Sequence, residues 1–260
     1  MRIAVIIPAR NEAAAIGRVV AELPREPLAQ VLVVDNGSTD ETASVARAAG
    51  AQVIAEPIAG YGRACLAGVA AVEATVETVV FVDGDAADDV RRLPQLLAPI
   101  AEGRADLVIG SRIAQAEPGS LTPVQRFGNR LACALIERCF GVRYTDLGPF
   151  RAIRREALER LGMRDRAFGW TVEMQAKAAR QRLKIVEVAV PYRRRIGRSK
   201  ISGTVLGSLQ AGWGILSTVL RVALEPSSSS VPVPAGQARG RQGNPSSAPP
   251  GEGGEGCAAC

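Results

Sequence analysis

Val79-Val80-Phe81-Val82-Asp83-Gly84-Asp85 is the stretch from which the rest of the chain can be read. A short β-branched and aromatic run of this kind fits a buried strand. It ends on two carboxylates separated by one glycine. In an open α/β sheet, ligands collect beyond the carboxyl ends of the strands, where this pair would lie. Two anions a few ångströms apart repel by about 1–4 kcal/mol, depending on the local dielectric. A shared proton or a cation relieves that repulsion. Hard oxygen ligands on a rigid turn suit Mg²⁺ or Mn²⁺, which in turn would hold a diphosphate. Asp-Gly is also common turn chemistry, so the surrounding chain must decide between a metal site and a solvated turn.

Working outward, Arg2 to Ile7 is an apolar strand stopped by Pro8. A helix follows to about Leu23, with Asn11 as its N-cap. Val31 to Val34 is a second strand, and Asn36 to Glu41 is a turn feeding a helix to about Ala49. Gln52 to Ala55 is a third strand, and Gly60-Tyr61-Gly62 opens a helix through Ala71. After the opening stretch come a helix from Arg91 to Ile100 and a strand from Asp106 to Ile109, leading into Gly110-Ser111-Arg112. Strand and helix alternating at this spacing imply βαβ units and a mainly parallel sheet. Right-handed crossovers place the loops after Ile7, Val34, Val82 and Ile109 on one edge. Arg10, Asn11, Asp35, Asp83, Asp85 and Arg112 then converge where a nucleotide is expected. The glycine-rich fingerprint of dinucleotide domains is missing after the first strand, where Pro8-Ala9-Arg10-Asn11-Glu12 stands instead, and Walker A is absent.

The chain of 260 residues is long enough for a sizeable core, and 47% hydrophobic with 22% charged residues is a soluble, globular composition. The apolar run Ile3 to Ile7 is too short for a secretory signal. Five cysteines without metal-finger spacing fit a reducing compartment. Cys257-Ala258-Ala259-Cys260 has the form of a prenylation box but neither a usual last residue nor a basic run before it. There is no histidine. That removes the commonest general base, so a base must be a carboxylate or the nucleophile must already be anionic. Charge is uneven: residues 1–110 hold 9 basic against 15 acidic side chains, and residues 151–200 hold 15 against 5. The basic stretch calls for a polyanionic partner.

Past Ser111 the pattern changes. Thr122 to Phe140 reads as one helix with Val124, Phe127, Leu131 and Leu135 on an apolar face. Tyr144 to Phe150 is irregular, Arg155 to Leu161 and Val172 to Gln181 are helices, and Ile185 to Val190 is a strand. Tyr192 to Lys200 is a dense basic loop, either solvated or facing an anion. With Tyr192 as its single aromatic it is a poor nucleic-acid binder. Residues 201–224 form an amphipathic helix that docks on the protein body or lies in a membrane interface; a transmembrane span ranks third. Residues 225–260 are Ser-, Pro- and Gly-rich and expected to be disordered.

Ile7 to Glu12, Val33 to Asp40, Asp83-Gly84-Asp85, Gly110-Ser111-Arg112, Asp146 to Phe150 and Arg195 to Lys200 are weak signals singly and strong in this order. Together they resemble the family 2 glycosyltransferases, most of all the dolichyl- and polyprenyl-phosphate sugar synthases. The likeness spans residues 1 to about 224. It implies a GT-A fold, a mainly parallel, Rossmann-like sheet flanked by helices, and transfer of a sugar from a UDP- or GDP-linked donor with inversion. By that likeness residues 1–112 bind the nucleotide sugar and residues 113–200 are the acceptor side of the same domain. Pro8, Ala9, Arg10, Asn11, Glu12, Asp35, Gly37, Gly60, Tyr61 and Gly62 would hold the donor, and Asp83 and Asp85 the Mg²⁺ or Mn²⁺. Arg112, with Arg195, Arg198, Ser199 and Lys200, would face the phosphates and the acceptor. Arg126, Asn129, Arg130 and Asp146 are further acceptor-side candidates. Where some members carry a metal-associated Gln, this chain has Ala87, so water or Asp88 takes that place.

A phosphorylated acceptor, foremost a polyprenyl phosphate, suits a chain without histidine because it is already ionised. A hydroxyl acceptor needs a carboxylate base, with Asp146 and Glu173 the candidates. The expected setting is cytoplasmic, at the inner membrane face if the acceptor is a lipid. A soluble glycosyltransferase with a small acceptor, a sugar-phosphate nucleotidyltransferase and a non-catalytic nucleotide-sugar sensor are the competing readings. The nucleotidyltransferase lacks its glycine-rich basic loop after the first strand.

Overall fold

Continuous apolar runs become strands buried on both faces. The computed structural model describes residues 1–197, 214 and 217–225, all within the compact unit Met1–Glu225. Seven strands form one sheet: β1 (Ile3–Ala9), β2 (Leu28–Asp35), β3 (Gln52–Ala55), β4 (Thr78–Phe81), β5 (Leu107–Ser111), β6 (Arg151–Arg154) and β7 (Ile185–Ala189). Their order is β3-β2-β1-β4-β6-β5-β7. All neighbours run parallel except β6, which is antiparallel to both β4 and β5. The α/β, mainly parallel architecture is as expected.

Alternate strand residues feed two cores. Ile3, Val5 and Ile7 face α1 (Ala13–Glu22), α2 (Thr42–Ala48) and α4 (Leu93–Ala101). Ala4 and Ile6 face α3 (Tyr61–Ala70), α5 (Pro123–Phe140), α6 (Arg155–Leu161) and α7 (Trp170–Arg180).

Three readings of the sequence need correction. Strand β6 was not anticipated, because Arg151-Ala152-Ile153-Arg154 carries cations at both ends. It nevertheless buries Arg151 fully. Asn11 is not an N-cap: it takes a left-handed φ of 51°, and α1 begins after Glu12 with no side-chain cap. The N–H of Ala13 instead bonds Asp40 Oδ2, at 3.2 Å. Most of the expected apolar face of α5 is turned outward, with Val124 61%, Phe127 69% and Leu131 39% exposed, and only Leu135 packs partly against the core. Ala132, Cys133 and Ile136 pack inward instead.

The last helix is described in part. Residues 217–224 are helical, and Thr218, Val219 and Val222 are their buried face, whereas Leu220 and Leu224 are exposed. Arg180 ties this segment to α7 by donating to the carbonyls of Val222 (2.8 Å) and Glu225 (2.7 Å). The rest of the expected 201–224 helix, and the disorder expected of the tail beyond 225, lie outside the described residues. Among the described residues no helix is long and apolar enough to cross a membrane.

Candidate active site

Because β1, β2, β4, β5 and β7 share one direction, their carboxyl ends meet at one edge. Antiparallel β6 starts at that same edge, so the loop before it, residues 144–150, arrives there too. Asp83-Gly84-Asp85 leaves β4 toward the end of β1. A Cβ on Gly84 would lie 3.3 Å from the Ala9 Cβ and 3.5 Å from the Pro8 carbonyl oxygen. Glycine therefore lets the acidic turn close on Pro8-Ala9.

Asp83 accepts a hydrogen bond from the Tyr61 hydroxyl at 3.0 Å. Burial, and then the charge of Asp85, push its pKa up to about 7. Asp85 is buried; its Oδ1 accepts the Ala87 N–H at 3.0 Å and its Oδ2 meets Arg195 Nη2 at 3.3 Å. The same Arg195 nitrogen lies 3.2 Å from Glu12 Oε1. One guanidinium thus bridges the loop after β1 and the loop after β4. Two backbone bonds hold the segment in place, Arg193 N–H to Ala87 O (2.8 Å) and Ile196 N–H to Asp85 O (3.0 Å).

At the end of β5, Arg112 is locked. Its Nε and Nη2 donate to the two oxygens of Asp146, and its own N–H to Oδ2, each at 2.8 Å. The guanidinium carbon lies 5.0 Å from the centre of the Tyr192 ring. Asp146 is fully buried. Burial opposes the charge on Arg112, but the hydrogen bonds and charge of Asp146 outweigh it and raise the pKa of Arg112. The charge of Arg112 opposes the rise in the pKa of Asp83.

The remaining donor candidates arrange themselves around this edge. Asp35 ends β2 and accepts the Ser38 N–H at 3.0 Å, with Gly37 between them at φ 70°. Asn36, absent from the expected site, receives the Gly60 N–H at 2.7 Å and donates to Ile58 O at 2.8 Å, fixing the turn that carries Tyr61. Gly62 donates to Ala167 O at 3.0 Å. Arg10 and Asn11 are exposed; Asn11 accepts the Thr39 N–H at 2.7 Å.

The acceptor candidates divide. Asn129 is taken up by backbone: Leu147 N–H donates to it at 2.8 Å and it donates to Thr145 O at 3.0 Å. Arg126 and Arg130 have no carboxylate partner among the described residues. Arg198, Ser199 and Lys200 lie outside the described residues. Neither candidate base is available: Asp146 is held by Arg112, and buried Glu173 pairs with Lys177 at 2.8 Å and caps the N–H of Asp165 at 2.7 Å.

Asp88 is the acid expected, as the alternative to water, in the place that Ala87 leaves beside the metal. It is 3% exposed, and neither carboxylate oxygen has a hydrogen-bond partner. Burial, and then Asp83, raise its pKa well above the usual range. Among the described residues no three acids or cysteines cluster tightly enough to hold a metal ion unaided. Two convergent carboxylates, one of them with a raised pKa, do fit a cation that a diphosphate also ligates.

The model for glycosyl transferase family 2 matches residues 4–162. An uncharacterized glycosyltransferase of Mycobacterium tuberculosis is 40% identical over 220 residues, covering 83% of this chain and 98% of the relative. A dolichyl-phosphate hexose transferase of Haloferax volcanii is 34% identical over 226 residues, covering 86% and 94%. Among solved structures, glucosyl-3-phosphoglycerate synthase from M. tuberculosis, in complex with Mn²⁺, UDP-glucose and phosphoglyceric acid, superposes with a TM-score of 0.69. It is 25% identical, with 87% of this chain and 81% of that one covered.

Proposed function

The chain belongs to glycosyl transferase family 2, and from that premise we propose that it moves a sugar from a nucleoside-diphosphate sugar to a phosphorylated acceptor carried on a polyprenyl lipid. The observation that carries the reading is the meeting of Asp83 and Asp85 with two held guanidiniums, Arg112 and Arg195, at one sheet edge. Asp83 and Asp85 would hold Mg²⁺ or Mn²⁺, which when bound neutralises charge building on the departing diphosphate. Pro8 to Glu12, Asp35 and the Gly60-Tyr61-Gly62 turn border the space for the nucleoside. Arg112, fixed by Asp146 and Tyr192, presents positive charge without having to reorganise. Arg195, held by Glu12 and Asp85, supplies a second cation.

No base has to be found for a phosphate acceptor, since it is ionised at neutral pH. That agrees with Asp146 and Glu173 both being committed to protein partners. A lipid carrier is supported by α5, whose exposed Val124, Phe127 and Leu131 lie beside Arg126 and Arg130. Such a face suits the boundary of an anionic bilayer. The similar dolichyl-phosphate hexose transferase points the same way. The similar synthase crystallised with phosphoglyceric acid favours a second reading, a water-soluble phosphorylated acceptor.

The test supplies radiolabelled UDP-glucose or GDP-mannose, Mn²⁺, and either undecaprenyl phosphate in vesicles or 3-phosphoglycerate. Label entering the lipid extract is expected, and Asp83→Asn should remove it. Label on 3-phosphoglycerate alone selects the soluble reading. Equal transfer to non-phosphorylated acceptors overturns both.

A further inference from the structure

The loop 145–148 is held in an unusual way, because side chains from four separate elements occupy its backbone groups. From β7, the Glu187 carboxylate accepts the N–H of Thr145 at 2.9 and 3.0 Å and that of Asp146 at 3.2 Å. From α7, Gln175 Nε2 donates to Asp146 O at 2.9 Å. From α5, Asn129 takes the Leu147 N–H at 2.8 Å and donates to Thr145 O at 3.0 Å. At the start of β6, Arg151 Nη2 donates to Leu147 O at 3.3 Å and also to Gly148 O. Gly148 completes the fit, since a Cβ there would lie 3.1 Å from Asp146 Oδ2 and against the Gly110 carbonyl.

A loop between a helix and a strand needs no such provision for stability alone, as turns and water satisfy most loop backbones. Here a single exported feature depends on it: the Asp146 carboxylate, whose two oxygens fix the guanidinium of Arg112. Gln175 and Arg151 are fully buried, and Arg151 has no carboxylate partner among the described residues. A buried charge whose hydrogen bonds go only to carbonyl oxygens is costly to keep. Its position under the loop gives that cost a use.

We infer that Glu187, Asn129, Gln175 and Arg151 are positioning residues for Arg112, acting through the backbone of residues 145–148 and the Asp146 carboxylate. None of the four touches the Arg112 guanidinium. The inference rests on the assignment of Arg112 to the phosphates for its catalytic consequence, and on geometry alone for its structural one.

Two readouts separate these. In the ¹⁵N–¹H spectrum of the full chain, the Arg112 Nε–H signal is identified by its loss in Arg112→Lys. Glu187→Gln and Asn129→Asp should each speed its hydrogen exchange at least tenfold. The exposed Arg155 Nε–H, paired with Glu159 at 2.8 Å, should stay unchanged. An Arg112 signal unaffected in both variants overturns the inference. In UDP-glucose turnover with Mn²⁺ and undecaprenyl phosphate, Glu187→Gln should lower kcat about tenfold with KM for UDP-glucose within twofold. In the Arg112→Lys background the same change should cost less than twofold. A full additional tenfold loss there also overturns it. If the wild-type protein gives no turnover while the Arg112 signal responds as expected, the assigned reaction fails and the positioning role stands.

Discussion

Asp83 shows how burial and a like charge together set the behaviour of one side chain. Its raised pKa means that the folded protein binds this proton more tightly than the unfolded chain does. The resulting stability is complete below about pH 4, the ordinary carboxylate value, and is lost as pH rises through about 7. Melting temperature should therefore fall between pH 5 and pH 8, and Mn²⁺ should restore it at pH 8. Asp83→Asn keeps an acceptor for Tyr61 but not the charge, so its melting temperature should fall less over that range and ignore Mn²⁺. Differential scanning calorimetry with and without the metal checks this; equal pH slopes in both proteins would count against it. At this scale the acids were legible in the sequence, because two carboxylates closing a buried strand repel each other until a proton or a cation comes between them. Asn36, Gln175 and Glu187 were not, because each acts on backbone far away in sequence, and nothing local marks that task.

At the level of elements, α5 and β6 show where local pattern runs out. Periodicity correctly marks the helix, and Thr122 with Gln125 closes it in a capping box. Which face turns inward is a tertiary matter: the smaller Ala132 and Cys133, with Ile136, fit against α7, and the larger Val124, Phe127 and Leu131 are left outside. An outward apolar face beside two arginines should bind anionic vesicles. Phe127→Glu should weaken sedimentation with phosphatidylglycerol vesicles at least tenfold, and Arg126→Ala with Arg130→Ala should weaken it in a salt-dependent way. Both variants should melt within about 2 °C of the wild type, as expected for exposed positions. Unchanged vesicle binding would remove α5 from the membrane. Strand β6 escaped notice because a central strand is expected to be apolar, and Arg151 is instead recruited beneath the 145–148 loop.

Across the whole molecule, parallel strands carry the loops after β1, β2, β4, β5 and β7 to one edge, and the reversed β6 adds the loop that holds Asp146. The alternation of strands and helices was enough to foresee this convergence. The acid-rich first part of the chain and the basic later part meet there, through Glu12 and Asp85 with Arg195. The proposed transfer depends on a divalent cation joining Asp83 and Asp85 to a diphosphate. Isothermal titration calorimetry of UDP or GDP, with and without Mn²⁺, tests this most directly. One of the two nucleotides should bind the wild-type protein at least tenfold more tightly with the metal, and Asp83→Asn and Asp85→Asn should lose that difference. Nucleotide affinity that is the same with and without Mn²⁺, or a metal effect surviving in both variants, would contradict it.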